Sequence, residues 1–124
     1  MSNPFVAIGS WLAFLGVALG AFGTHTLRDR LTPAALQIWQ TGVQYHLIHA
    51  VALVLIGVIA DRTETKAFRT AGWLMTAGIA IFSGSLYALA LTGEKRLGAI
   101  TPLGGLSFLS AWAILAITSS RRAP

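Results

Sequence analysis

Residues 33–60, PAALQIWQTGVQYHLIHAVALVLIGVIA, contain no charged side chain and are long enough to cross a membrane as one helix. At 1.5 Å per residue this stretch spans about 42 Å, whereas the hydrocarbon core of a bilayer needs only about 20 helical residues. Either the helix tilts in the membrane or it breaks near Gly42. If it breaks, residues 33–41 lie at the membrane interface with Trp39 as an anchor, and the crossing begins near Thr41.

The rest of the chain alternates in the same way between apolar stretches and short charged clusters. The nine basic and four acidic residues are confined to positions 28–30, 61–69, 94–96 and 121–122. A soluble domain carries about 25% charged residues, but here only 10% are charged and 55% are hydrophobic. The sequence therefore predicts an all-α integral membrane protein, a single domain over 1–124 built as a four-transmembrane-helix bundle. Its helices are expected at about 4–27, 33–60 (with a break near 42 as one alternative), 70–92 and 101–120.

Composition and charge argue against several classes of function. The chain has no cysteine, which removes disulfides, thiolate metal sites and cysteine nucleophiles. The net charge of +5 comes from residues at helix ends, where they meet lipid phosphates, so we expect no nucleic-acid partner. All four carboxylates fall in turns, which argues against paired-carboxylate catalysis and against a carboxylate proton pump. We expect no catalytic residue, and the sequence favours a non-enzymatic protein.

The first apolar stretch and the basic residues bear on topology. No Lys or Arg precedes that stretch and no obvious cleavage site follows it, so we expect it to be retained. Five basic residues lie on the side of the two termini and the 61–69 linker, and four lie in the other two turns. By a margin of one residue, the positive-inside rule favours a multi-pass protein of the bacterial plasma (inner) membrane with both termini cytoplasmic.

Two Thr-Pro pairs predict the starts of the second and fourth helices. Thr32-Pro33 and Thr101-Pro102 each combine an N-cap residue with proline at the first helical position. The chain then consists of two helical hairpins of the same orientation, which either a weak internal duplication or shared capping chemistry explains. Small residues at helical spacing predict close contacts between helices. These are Gly16, Gly20, Gly23, Gly84, Gly104 and Gly105.

The second helix concentrates polar residues, and polar groups inside a membrane are costly enough to need a reason. Gln37, Gln40 and Gln44 share one helix face, whereas His46 and His49 share roughly the opposite face. Elsewhere, Trp112 is expected to be a core aromatic of the fourth helix.

Three interpretations of the histidines stay open at this point. Each imidazole either bonds to a neighbouring helix, or forms a small-molecule or proton site near one interface, or ligates a metal or haem, with His25, His46 and His49 as the candidate ligands. A break near Gly42 would let His25 and His49 approach each other, whereas a straight helix would separate them.

Several motifs occur together in a distinctive order. They are Gly20-Ala21-Phe22-Gly23-Thr24-His25, then Gln40-Thr41-Gly42 with Tyr45 and His49, then Ser83-Gly84-Ser85-Leu86-Tyr87, and last Thr101-Pro102-Leu103-Gly104-Gly105. With them the chain resembles, over almost its whole length, the domain-of-unknown-function-423 family, small bacterial membrane proteins of the YgdD and YwdK type. The resemblance implies a four-helix inner-membrane protein with no established activity. It implies a histidine at positions 25 and 49 but not at 46, and it allows an acid at position 44.

Three functions compete. The first is a non-enzymatic module, such as an accessory subunit, that packs against a partner or binds a lipid-like ligand, with no cofactor indicated. Its partners would be the bilayer and a second copy or another membrane protein. The second is an oligomeric small-solute transporter or channel component. The third is a haem-, metal- or quinone-binding protein that uses His25 and His49. The candidate ligand-binding residues are His25, Gln40, Gln44, Tyr45, His49 and Tyr87.

Overall fold

The described part of the chain contains four long helices, as the charge pattern predicts. The computed structural model describes residues 3–63 and 65–122, with side chains up to residue 121; Glu64 of the predicted linker lies outside the described residues. The helices are α1, Phe5–Leu27; α2, Pro33–Thr63; α3, Lys66–Thr92; and α4, Leu97–Arg122. All four are long and apolar enough to cross a membrane.

Helix α2 is one uninterrupted α-helix from Pro33 to Thr63, with no break at Gly42. Of the two alternatives for this stretch, the structure therefore has the long unbroken helix, about 46 Å by its rise. The predicted cap at its start is confirmed, because the Thr32 hydroxyl oxygen accepts a hydrogen bond from the Ala35 amide at 3.1 Å. Trp39 is 5% exposed and is not an interfacial anchor, because its indole N–H donates to the Leu19 carbonyl of α1 at 3.0 Å.

Two predicted helix starts are corrected. Helix α3 begins at Lys66 rather than near Thr70, since Thr65 caps it by accepting from the Phe68 amide. Helix α4 begins at Leu97 rather than at Thr101. The prediction failed there because the Thr101 hydroxyl does not cap a helix. It bonds to the Leu97 carbonyl in the preceding turn and lies 2.6 Å from the Ser85 hydroxyl of α3.

The helices form a row in which α2 and α3 are central. Helix α1 packs on α2 and also touches α3 through Phe5, and α3 packs on both α2 and α4. Among the described residues no Cα of α2 lies within 8 Å of a Cα of α4. The main core surrounds Phe5, Leu53, Ile56 and Met75, and a smaller one surrounds Trp39. The arrangement leaves a gap between α2 and α4 that only side chains can fill.

Close helix contacts depend on glycine at some of the predicted positions but not at all of them. A Cβ at Gly16 or Gly23 would collide with Leu47 or Trp39 of α2, and one at Gly20 would come within 2.9 Å of Val43. Gly104 lies against the backbone of Phe82. The further predicted positions are corrected: nothing lies within 4 Å of a Cβ at Gly84, and at Gly105 the nearest atom, from Phe82, is 4.0 Å away.

Both α1 and α3 contain a π-helical turn, at Leu19–Gly23 and at Ile79–Ser83. A π-helical turn contains one more residue than an α-helical turn. The side chains before and after it therefore point in different directions from those of a continuous α-helix. The turn in α3 carries Phe82, which lines the gap between α2 and α4. It also carries Ser83, whose hydroxyl donates to the Gly42 carbonyl of α2 at 2.7 Å.

Candidate functional site

A cleft of about 490 Å³ lies between α2 and α4. It falls within the range of volumes, roughly 300–1,000 Å³, that small-molecule sites occupy. Tyr45 is 40% exposed and Trp112 44% exposed, so the cleft opens sideways, toward the surrounding lipid. The residues that line it come from three helices: Gln44, Tyr45, Ile48, His49, Phe82, Gly105, Phe108, Leu109 and Trp112.

His49 forms the inner wall of this cleft and is fixed on every side. Its Nδ1 lies 2.7 Å from the Tyr45 carbonyl, which can only accept, so Nδ1 carries the proton. Its Nε2 accepts from the Trp112 indole N–H at 3.0 Å. The ring stacks on Phe108 with centroids 3.6 Å apart and planes at 12°. His49 is therefore held as a neutral imidazole, and neither nitrogen is free for a ligand.

His46 lies three residues before His49 on α2, contacts α1 and α3 instead of α4, and bonds in the opposite sense. Its Nε2 donates to the Leu12 carbonyl of α1 at 2.7 Å, which leaves Nδ1 to accept from the Tyr87 hydroxyl of α3 at 2.8 Å. One imidazole thus links three helices. This arrangement matches the first interpretation of the histidines, in which each bonds to a neighbouring helix.

The structure does not bring the three histidines together as a metal or haem site. Gly23, two residues before His25, lies against Trp39, and His49 is ten residues further along α2, a rise of ~15 Å. His25 itself is exposed near the end of α1. Among residues 3–63 and 65–122, no three His, Cys, Asp or Glu side chains come close enough to hold a metal ion.

Of the six candidate ligand-binding residues, three line the cleft, namely Gln44, Tyr45 and His49. Tyr87 contacts α2 nearer its start and outside the cleft, against Gly42 and with its ring 4.7 Å from that of Trp39. Gln40 is exposed on α2 outside the cleft. A transporter would need the polar candidates Gln40, Gln44, His49 and Tyr87 along one path, and the cleft of a single chain contains only Gln44 and His49 of these four.

Sequence reasoning missed the wall that α4 contributes. Gly105, Phe108 and Trp112 recur at helical spacing and so lie on one face of α4, a signal that was present in the sequence. Trp112 was expected in the core, but it stands between the lipid and His49. The sequence does not reveal that the backbones of α2 and α4 stay apart. That separation is what makes the aromatic face of α4 the wall of a cleft.

Comparison with known proteins identifies the family of this chain. The family described as "Protein of unknown function (DUF423)" matches residues 19–105. The chain belongs to the DUF423 family. It is 47% identical to the "UPF0382 membrane protein YwdK" of Bacillus subtilis (strain 168), over 93% of this chain and 94% of that protein. It is 43% identical to a "UPF0382 membrane protein" of Staphylococcus epidermidis (strain ATCC 12228 / FDA PCI 1200), over 93% of each chain.

No solved structure is similar to this DUF423 protein. The relatives' names establish a membrane protein and assign no activity, so the cleft has to be interpreted from its own chemistry. The matched segment contains the polar half of α2, the π-helical turn of α3 and Gly105 of α4. Trp112 and Phe108 lie beyond the residues that the family description matches.

Proposed function

We propose that this protein is a non-enzymatic membrane protein that binds a lipid-like ligand in the cleft between α2 and α4. The observation that carries the proposal is the cleft itself, an aromatic-walled space that faces the lipid and carries polar groups, Gln44 and Tyr45, on one rim. Ligand sites are concave, largely apolar, and contain a few polar groups that orient the ligand.

The chemistry of the cleft supports binding rather than catalysis. His49 is the titratable base in its wall, and both of its nitrogens are already bonded. A general base needs a nitrogen within hydrogen-bonding reach of the proton that it abstracts. No serine, threonine or carboxylate is among the described residues that line the cleft, so none of these groups stands beside that base as a nucleophile.

A matched pair of glycines tests the proposal. Gly105 lines the cleft and has space above it, so Gly105→Leu fills the cleft from inside. Gly98 lies on the same helix outside the cleft, and the nearest atom to its added Cβ is 3.9 Å away, so Gly98→Leu controls for the change in helix propensity. Gently purified wild type and G98L should retain a lipid in native mass spectrometry, and G105L should lose it. Equal lipid retention in all three proteins would refute a ligand site in the cleft.

The proposed location is the plasma membrane, with both termini cytoplasmic. The support is the distribution of basic residues: Arg28, Arg30, Lys95 and Arg96 lie at one end of the bundle, and five basic residues belong to the other end. Basic residues are enriched on the cytoplasmic side of short loops.

A second candidate function, contact with a second copy, is favoured by the exposed amides of α2. Gln37 and Gln40 are exposed on the outer face of that helix. An amide both donates and accepts, so the same face on two copies is self-complementary. Because the chain has no cysteine, Gln40→Cys should form a disulfide-linked dimer in native membranes. A Leu106→Cys control, exposed on α4, should stay monomeric, and equal crosslinking of both variants would refute this interface.

A further inference from the structure

A second, smaller hollow lies beyond the cleft, toward the other end of the bundle. This hollow of about 170 Å³ lies between the later turns of α2 and α4 and is walled by Leu55, Ile59 and Leu115. Trp112 lines both hollows. The two hollows follow one another along α2 and α4 and share Trp112, and we refer to them together as the groove.

The groove has the length of a lipid chain. From Gln44 at one end to Ile59 at the other it follows 15 residues of α2, a rise of ~22 Å. One leaflet contributes about 15 Å to the hydrocarbon core. The groove is therefore long enough for an extended apolar chain that runs parallel to the helices.

Polarity is concentrated at one end of the groove. The Gln44 amide and the Tyr45 hydroxyl stand at the first hollow, and the residues around the second hollow are apolar except for Ser119 at its far edge. Both Gln44 and Tyr45 can donate a hydrogen bond. An occupant should thus have an acceptor-bearing head beside them and an apolar tail beyond Trp112.

The head should also be uncharged. Gln44 lies 11 residues after Pro33, about 16 Å along the helix axis and thus below the charged turns. Of the described residues that line either hollow, none is charged. A phosphate or carboxylate head at that depth would be costly without a cationic partner, which argues against ordinary phospholipids and fatty acids.

The walls at this end favour a flat head. The rings of Tyr45, Phe82, Phe108 and Trp112 surround the first hollow, and the Tyr45 and Phe82 centroids are 4.7 Å apart. Aromatic faces stack well on planar rings. We infer that the groove binds a prenylated quinone, with its ring among these aromatic side chains, its carbonyls accepting from Gln44 and Tyr45, and its tail running past Trp112. This inference rests on the ligand site proposed above, and it concerns binding without any redox step.

Quenching of Trp112 fluorescence tests the inference. The probe is a para-benzoquinone with a two-isoprene tail, added to the detergent-purified full-length protein. The same tail as a simple alcohol, and a single-chain lysophosphatidylglycerol, serve as competitors that lack the ring or carry a charge.

Wild type should show saturable quenching that W112F loses, because Trp112 borders both hollows. The Gln44→Leu/Tyr45→Phe double variant should bind roughly tenfold more weakly, since two donors are lost, and Gln40→Leu outside the cleft should not.

The blocking variants separate failure of the inference from failure of the site. Gly105→Leu and, at the exposed rim, Leu109→Trp should both weaken quinone binding, whereas Gly98→Leu should not. If the blocking variants displace a bound lipid but the alcohol or the lysolipid competes as well as the quinone does, the site exists and the quinone assignment is wrong. If wild type and blocked protein bind all three probes equally, both the inference and the proposed site fail.

Discussion

The Trp112 indole N–H donates to Nε2 of His49 at 3.0 Å, across a gap that the backbones of α2 and α4 do not close. This bond decides the chemistry of the cleft. It occupies Nε2 of the imidazole, while Nδ1 bonds within α2 to the Tyr45 carbonyl. His49 therefore acts as a fixed aromatic wall, and the groups at the cleft still able to donate are those on its rim.

The two buried histidines should be opposite neutral tautomers. His49 should carry its proton on Nδ1 and His46 on Nε2, because each of those nitrogens faces a carbonyl oxygen. Nitrogen-15 NMR of histidine-labelled protein in detergent distinguishes the two forms. Trp112→Phe should shift the Nε2 resonance of His49, which loses its donor, and leave that of His46 unchanged. The same tautomer at both positions would contradict the bonding described here.

His46 should contribute more to stability than His25. His46→Leu leaves the Leu12 carbonyl and the Tyr87 hydroxyl without their partner. Loss of such a buried partner costs about 1–3 kcal/mol, and bonds between membrane helices average ~0.6 kcal/mol each with a maximum of ~1.7. We expect His46→Leu to lower the free energy of unfolding by about 1–3 kcal/mol in a reversible detergent titration.

His25→Leu is the matched control, because His25 is exposed and surface changes usually stay within about 0.5 kcal/mol. A double-mutant cycle with Tyr87→Phe should give a coupling of about 1 kcal/mol between positions 46 and 87. If His46→Leu is tolerated as well as His25→Leu, the three-helix link does not stabilise the bundle.

Much of the fold could be predicted from the sequence because the bilayer imposes simple rules. Charged residues have to leave the hydrocarbon, so the clusters around Arg28 and Glu94 locate two of the turns directly. The starts of α3 and α4 were harder to place. Thr65 and Thr101 are both plausible caps, and which of them caps a helix depends on partners elsewhere in the bundle, such as Ser85.

The candidate site was only half predictable for a related reason. Polar residues are costly inside a membrane and are therefore candidates for a functional site. Gln44, Tyr45 and His49 could be predicted on that ground. Periodicity places the aromatic residues of α4 on one face, but it does not say what that face meets. That Phe108 contacts His49 while Trp112 stays partly exposed follows from helix order and spacing, which no local pattern encodes.

Two glycines should respond in opposite ways to the same substitution. A Cβ at Gly104 meets the backbone of Phe82, which cannot rotate away, so Gly104→Ala should destabilise the protein by about 1–3 kcal/mol. Gly84 has nothing within 4 Å of an added Cβ, and alanine favours a helix by about 0.5–1 kcal/mol over glycine. Gly84→Ala should therefore leave stability unchanged or raise it. Thermal unfolding of both variants provides the measurement, and equal destabilisation would mean that α3 and α4 approach each other differently.

Topology should follow the small excess of basic residues and should be reversible. Since the chain contains no cysteine, single cysteines report accessibility without background. A membrane-impermeant maleimide added to intact cells should label Glu94→Cys, in an exposed turn. Ser120→Cys, near the other end of the bundle, should be labelled only after lysis. The opposite pattern would place both termini outside.

Neutralising two residues should shift this balance. Arg62→Gln together with Arg69→Gln leaves three basic residues on the side of the termini against four in the other two turns, and the positive-inside rule then favours the inverted orientation. In that background, labelling of Glu94→Cys in intact cells should fall and that of Ser120→Cys should rise. A matched pair, Asp61→Asn with Thr70→Gln, keeps all basic residues and should not alter the pattern. If the neutralised protein keeps its orientation, features other than loop charge determine the topology of this bundle.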